Sequence, residues 1–124
     1  MLAGKLRVYD VSMGGTNWRP ELPSMEKLNQ LIKEYYISKD NKTTSILEFM
    51  CRIMKMQLFS DGNKRTAMLI ANHELIKNGK GIVSISNENK IEFGSRLIQF
   101  YENDEKIEDL EQFIFEKCLD GIER

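Results

Sequence analysis

Several residue types are scarce in this chain of 124 residues, and each shortage excludes a class of protein. The two cysteines, Cys51 and Cys118, are far apart and form no CxxC pair, which excludes a disulfide framework. With a single histidine, His73, there is also no Cys/His pattern typical of a metal site. Two widely separated cysteines within apolar helical patterns are typical of a reducing compartment, so we expect a cytoplasmic protein.

The chain also lacks a strong net charge and a long apolar run. Its formal net charge of -1 gives no general attraction to nucleic acid or to an anionic membrane surface. No segment is apolar for long enough to act as a secretion signal or to span a membrane. Nucleic acid and membrane are therefore not expected among the partners.

What is present is an ordinary globular composition, with 41% hydrophobic and 30% charged residues. We expect residues 1–124 to form one domain of mainly α fold. Residues 6–20 predict a short β-hairpin, because a β-prone run is followed by Gly14 and Gly15 and by a possible return strand. Residues 24–121 then show the apolar spacing of a helical core with five helices.

The third of these helices is predicted from about Asn63 to Lys77. Its apolar residues recur at helical spacing and predict one inward-facing stripe. The expected members are Met68, Leu69, Asn72, Leu75 and Ile76.

Residues 59–65 break a local rule of helix formation. Lys64 and Arg65 fall in the first turn of the third helix, where the partial positive charge of the helix favours acids. Gly62 permits backbone angles that let successive N–H groups converge on one point. Converging N–H groups at the start of a helix, together with two cations, are suited to binding a phosphate. Asp61 adds a carboxylate, which beside a phosphate site often holds Mg²⁺. The alternative is a plain turn in which Asp61 caps the helix and both cations are solvated.

At this loop the residues become similar to a known family. Residues 59–67 read Phe-Ser-Asp-Gly-Asn-Lys-Arg-Thr-Ala, which resembles the active-site loop of the Fic/Doc (Fido) family, H-x-F-x-D/E-G-N-G/K-R. Residues 14–20, followed by Leu22 and Pro23, resemble the flap hairpin of the same family. The order and spacing of the two segments fit the family, whose members have a helical fold with a hairpin flap.

The resemblance implies a set of roles for the loop. Members of the family typically transfer AMP from ATP to a hydroxyl of a target protein. By position, Asp61 would bind Mg²⁺, and Gly62 and Asn63 would present backbone groups to the nucleotide phosphates. Arg65 would pair with a phosphate oxygen, and Lys64 stands where the family has either Gly or Lys. The implied cofactors are ATP and Mg²⁺.

The resemblance also implies a docking segment. Thr16, Asn17 and Trp18 would form the part of the flap that holds a segment of the target protein by strand-like pairing. The partners would then be a nucleotide and a protein with a hydroxyl side chain, and a homo-oligomer is left open.

The chain departs from the family at Gln57, where the catalytic histidine would stand. That histidine takes the proton of the attacking hydroxyl, and a glutamine amide cannot do so near neutral pH. His73 lies too far along the third helix to replace it. Tyr101 on the fourth helix could stack on an adenine, although packing between helices explains it better.

Three interpretations follow from these residues. The chain is a weak or inactive relative of protein AMP-transferases, a catalytically dead module that binds nucleotide and peptide, or a Doc-like protein kinase.

Overall fold

The computed structural model describes residues 6–38 and 42–121, and within them five α-helices account for most of the chain. Their bounds are α1 Met25–Ser38, α2 Thr43–Met56, α3 Asn63–Lys77, α4 Lys90–Glu102 and α5 Ile107–Lys117. Short 3₁₀ turns, Asn87–Asn89 and Asp104–Lys106, lead into α4 and α5. The predicted mainly α fold is confirmed, while the extent of the domain over residues 1–124 stays a prediction.

Helix α2 forms the centre of the core and packs against α1, α3 and α5. Its apolar residues recur at helical spacing, so that one broad face is removed from water. Each fully buried aliphatic side chain of this kind stabilises the fold by about 1.5–3 kcal/mol. The buried members are Ile46, Leu47, Phe49, Met50, Cys51, Ile53 and Met54.

Helix α3 faces α2 with small side chains, and the predicted inner stripe was wrong in part. Ala67 and Ala71 are fully buried, which lets the two helix backbones approach closely. Leu69 and Ile76 instead remain 65% and 64% exposed. Leu75 is buried as predicted, whereas Leu69 and Ile76 were misassigned because the small residues Ala67 and Ala71 were not expected inside.

The second half of the chain is joined to α3 by a short two-stranded sheet. Strand β1, Ile82–Val83, pairs antiparallel with β2, Leu119–Asp120. The Asn72 side chain holds β1 in place, since its Oδ1 accepts from the Val83 N–H at 2.7 Å and its Nδ2 donates to the Val83 carbonyl at 3.1 Å.

The hairpin predicted over residues 6–20 is not formed as paired strands. A turn does occur at Gly14 and Gly15, but no strand is present from residue 6 to residue 24. The outgoing arm pairs elsewhere, because the Arg7 N–H donates to the Leu58 carbonyl at 2.7 Å. In the return arm the Trp18 N–H is used locally and donates to the Thr16 hydroxyl at 3.0 Å. These contacts replace the arm-to-arm hydrogen bonds of a hairpin.

Candidate functional site

The loop before α3 begins where α2 ends at Gln57. This residue has left-handed backbone angles, φ 47° and ψ 58°, and its N–H donates to the Met54 carbonyl at 3.2 Å. Such a residue is a common way to end a helix. The Arg7 guanidinium fixes the turn from the other side, because Nε donates to the Gln57 carbonyl at 2.7 Å. The chain is thereby directed into the loop.

Asn63 closes the loop with its side chain. Its Oδ1 accepts from the Phe59 N–H at 2.9 Å, and its Nδ2 donates to the Phe59 carbonyl at 2.8 Å. Nδ2 also donates to Gln57 Oε1 at 3.2 Å. These bonds hold the backbone of residues 59–63 in one shape before any ligand binds, which lowers the ordering cost of binding.

The start of α3 leaves backbone donors directed out of the helix. Gly62 precedes the helix with φ 76°, and no side chain caps the end. The first intrahelical bond in this turn runs from the Thr66 N–H to the Gly62 carbonyl. The N–H groups of residues 63–65 are therefore without acceptors inside the helix. The Asp61 carboxylate does not cap α3 but accepts from the Gly62 N–H at 2.8 Å.

The two cations of the first turn extend from this end of the helix. Lys64 and Arg65 are exposed, and neither forms an ion pair with any residue in 6–38 or 42–121. The Arg65 guanidinium folds back towards Gly62, where an added Cβ would lie 3.1 Å from Nη2. The left-handed backbone angle favours glycine here, and a Cβ would also displace the tip of the Arg65 side chain.

An open cleft of about 340 Å³ lies over the loop. Gln57 and the predicted residues Asp61, Gly62, Asn63, Lys64 and Arg65 all line it. Met13 also forms part of the cleft wall, and sequence analysis did not predict it. It lies at the turn of residues 6–24, which we call the flap segment. Only its position next to Gly14 could have pointed to it.

Gln57 has its side-chain amide engaged within the protein. Nε2 donates to the Met54 carbonyl at 2.8 Å and to the Tyr101 hydroxyl at 3.4 Å, and Oε1 accepts from Asn63. Both amide hydrogens are therefore in use, and the residue is only 8% exposed. An amide in this arrangement holds the loop but cannot accept a proton from a substrate.

The three residues predicted to dock a target lie outside the cleft lining. The Thr16 hydroxyl donates to the Glu102 carboxylate on α4, and the Trp18 ring stacks on Tyr101 with 4.9 Å between centroids. Asn17 is exposed. The role of these residues in docking stays a prediction.

The expectations for Tyr101 and His73 can be checked against their burial and their position relative to the cleft. Tyr101 is 1% exposed, which contradicts stacking on an adenine and fits packing between helices. Burial also raises the pKa of Tyr101, so its hydroxyl stays protonated at neutral pH. His73 does not line the cleft, and its Nδ1 lies 3.2 Å from Glu74 Oε2.

Arg7 was also missed from the sequence, although it is 4% exposed. Besides Gln57, its guanidinium donates to the carbonyls of Tyr9 at 2.9 Å and Glu21 at 2.8 Å. It thus joins both ends of the flap segment to the loop. The β-prone run around it gave no sign of this role.

The donor set fits a cation only together with a phosphate. No group of three or more His, Cys, Asp and Glu side chains that could hold a metal occurs in the described part of the chain. A single carboxylate, Asp61, lines the cleft. One carboxylate completed by phosphate oxygens and water is the usual arrangement for Mg²⁺.

The structure is thus a helical fold in which an ordered loop and the uncapped start of a helix line a cleft with backbone donors and two cations. A comparison with models of protein families matches residues 2–75 to the Fic/DOC family. The chain therefore belongs to this family. Searches of curated proteins and of solved structures give no match.

Membership of the family suggests an AMPylation-type or related function at the level of the family. Members generally use ATP and Mg²⁺ and act on protein targets. Within the described residues, none of the helices is both long and apolar enough to cross a membrane.

Proposed function

We propose that this protein binds ATP with Mg²⁺ in the cleft over residues 59–65 and transfers AMP slowly to a hydroxyl of a target protein. The observation that carries the proposal is the loop itself. Asn63 holds it in shape, the N–H groups of residues 63–65 are free of intrahelical acceptors, and Lys64 and Arg65 stand beside them. Together these groups match the negative charge and the acceptor oxygens of a polyphosphate.

The residues of the loop divide the work of binding. Backbone N–H groups and Arg65 bind phosphate oxygens, Lys64 adds charge, and Asp61 holds Mg²⁺. Mg²⁺ supplies neutralisation of the phosphate charge. In the reaction, the target hydroxyl oxygen forms a bond to the α-phosphorus, the bond from that phosphorus to the bridging oxygen breaks, and pyrophosphate leaves.

The slow rate follows from Gln57. The hydroxyl must lose its proton, and the Gln57 amide has no basic atom and is already bonded to Met54, Tyr101 and Asn63. The proton therefore passes to water. Loss of a general base lowers a rate by about 10²–10⁴-fold.

The engagement of the Gln57 amide also favours a second candidate, a catalytically inactive module that binds the nucleotide and a peptide. The full use of the Gln57 amide inside the protein supports this candidate. It differs from the first only in the absence of transfer.

Binding is tested by the melting temperature with ATP and Mg²⁺. At one hundred times Kd the ligand raises stability by about 2.7 kcal/mol, which gives a clear shift. Asp61→Asn and Arg65→Ala should reduce the shift, whereas Arg96→Ala, which alters an arginine paired with Glu92 on α4, should leave it unchanged. A shift that is absent in the wild type or equal in all variants contradicts the proposal.

Transfer is tested with ATP labelled at either the α- or the γ-phosphate, in the presence of candidate target proteins. Label from the α-position indicates AMP transfer, and label from the γ-position indicates a Doc-like kinase. Gln57→His should increase AMP transfer by about 10²-fold or more. Binding without transfer in both the wild type and Gln57→His favours the inactive module.

A further inference from the structure

Tyr101 lies between the flap segment and the loop and contacts both. On one side its ring stacks on Trp18, with 4.9 Å between ring centroids and 30° between planes. On the other side its hydroxyl accepts from Gln57 Nε2 at 3.4 Å. The residue is 1% exposed, so it has no access to a ligand in solvent. Any effect it has on the site must pass through its neighbours.

The Met54 carbonyl and Asn63 Nδ2 decide which way the Gln57 amide points, and the Tyr101 hydroxyl helps to hold the amide in that orientation. The two hydrogens of Nε2 are directed to Tyr101 and to the Met54 carbonyl, and this leaves Oε1 facing Asn63 Nδ2 at 3.2 Å. If the amide were reversed, Nε2 would face Nδ2, which is also a donor, and the bond would be lost. The orientation seen is the one in which all three contacts are favourable.

Asn63 carries this orientation into the backbone of the loop. Its Nδ2 donates to both Gln57 and the Phe59 carbonyl, and its Oδ1 accepts from the Phe59 N–H. The N–H of Asn63 itself belongs to the free first turn of α3. The side chain that orders the loop is therefore attached to a residue that presents a donor to the cleft.

We propose that Tyr101 is a positioning residue for the phosphate site, which holds Gln57 and through it Asn63 in place. The ring stacks on Trp18, and the hydroxyl accepts from the Gln57 amide. The phosphate affinity in this inference rests on the proposed function, whereas the ordering of the loop does not.

The test variant is Tyr101→Phe, which keeps the ring and its stack but removes the hydroxyl. The probe is inorganic pyrophosphate with Mg²⁺, titrated by calorimetry, because it has no base that could contact an aromatic ring. We expect its affinity to fall about threefold to tenfold, the effect of one hydrogen bond. Trp18 is the single tryptophan, so an unchanged emission spectrum verifies that the stack remains.

The matched control is Tyr36→Phe, which removes a hydroxyl on α1 that donates to Glu74 on α3 at 3.3 Å. Neither Tyr36 nor Glu74 lines the cleft. It should bind pyrophosphate like the wild type. A loss of affinity equal to that of Tyr101→Phe would indicate a general effect of hydroxyl deletion and would overturn the proposal.

A second variant separates positioning from a merely structural role. Gln57→Met removes the amide at similar length, and in its background Tyr101→Phe should cause no further loss of affinity. If the two losses multiply instead, Tyr101 acts by another route and the proposal is wrong.

Hydrogen exchange in the free protein tests the inference without any ligand. The Phe59 N–H is bonded to Asn63 Oδ1, so it should exchange faster in Tyr101→Phe and at the wild-type rate in Tyr36→Phe. If the wild type does not bind pyrophosphate, the proposed function fails, and this exchange rate alone decides the positioning. An unchanged rate in Tyr101→Phe overturns it.

Discussion

The loop before α3 and the flap segment of residues 6–24 are held by different kinds of hydrogen bond. In the loop, the side chains of Gln57 and Asn63 bond mainly to groups three to six residues away, and one bond joins Gln57 to the distant Tyr101. In the flap segment, Arg7 bonds to carbonyls up to 50 residues away and Thr16 bonds to Glu102, 86 residues away. The loop can therefore form its shape largely from its own sequence, whereas the flap segment depends on the completed fold.

This difference has a consequence for binding. A loop ordered by near neighbours is ready for an anion at little entropic cost, whereas a segment held by a few distant contacts can be released one contact at a time. Arg7 is the residue at which the two regions meet, since it bonds to Gln57 in the loop and to Tyr9 and Glu21 in the flap segment.

The largest effect is expected from Arg7→Met. The change leaves three carbonyls without their donor, so the free energy of unfolding should fall by about 3 kcal/mol in urea denaturation. Protease cleavage within residues 6–24 should also become faster. The control Arg96→Met removes an ion pair with Glu92 and a cation–π contact with Phe113, and should cost about 1 kcal/mol. Equal losses in the two variants would show that the flap segment does not depend on Arg7.

The second-largest effect is expected from Gly62→Ala in the loop before α3. A left-handed alanine costs about 1–2 kcal/mol, and its Cβ would also displace the tip of the Arg65 side chain by a few tenths of an ångström. Pyrophosphate affinity should therefore fall together with stability. The matched control is Gly79→Ala, at φ +67° with nothing within 4 Å of the added Cβ. It should lose similar stability and no affinity, and an equal loss of affinity in both would contradict the role given to Gly62.

A third prediction concerns Glu111, which lies outside both the loop and the flap segment. Its titration makes the stability of the whole protein depend on pH, and this effect must be known when variants of the two regions are compared. Burial, together with the charges of Glu48 and Glu108, raises its pKa from 4.5 to about 7, with Arg52 opposing. The folded protein thus holds this proton more tightly than the unfolded chain does. Its contribution to stability is present below pH 4.5 and is lost as the pH rises to about 7.

Glu111→Gln should remove this part of the pH dependence. After allowance for solvent screening, we expect the variant to gain about 1 kcal/mol relative to the wild type above neutral pH. The measurement is urea denaturation across the acid-to-neutral range. Glu116→Gln, an exposed change on the same helix, should leave the slope unaltered, and a wild-type slope in Glu111→Gln would show the assignment to be wrong.

The smallest effect is expected from Thr16→Val in the flap segment. Loss of the bond to Glu102 and of the local bond from Trp18 N–H should cost about 0.5 kcal/mol, because the contact is near the surface. Protease cleavage within residues 6–24 is the sensitive measurement. Cleavage no faster than in Ser95→Ala, an exposed change on α4, would contradict the contribution of Thr16 to holding this segment.

The predictions from sequence succeeded where the cause was local. The five helices followed from apolar spacing, because burial of one face is what stabilises an amphipathic helix. Residues 61–65 were singled out because two cations in the first turn of a helix conflict with local preference; they line one cleft, and their role in binding stays a prediction. Such a conflict can be read directly from neighbouring residues.

The expectations that failed depended on distant parts of the chain. A turn was expected at Gly14 and Gly15 and is present, but the paired arms are not, because the Arg7 N–H donates to the distant Leu58 carbonyl and the Trp18 N–H donates to the Thr16 hydroxyl. Leu69 and Ile76 were assigned to the inside of α3, although Ala67 and Ala71 are the fully buried residues there, together with Leu75. Neither outcome could be known before the helices had packed.

The sequence by itself determined the helices and most of the loop, because these depend on residues within one or two turns of each other. It also shows directly that residue 57 is a glutamine and not a histidine. Tertiary structure alone decided that Arg7 joins the flap segment to the loop and that Tyr101 contacts Gln57. Those contacts join residues 50 and 44 positions apart, and only the completed fold brings such residues within hydrogen-bonding distance.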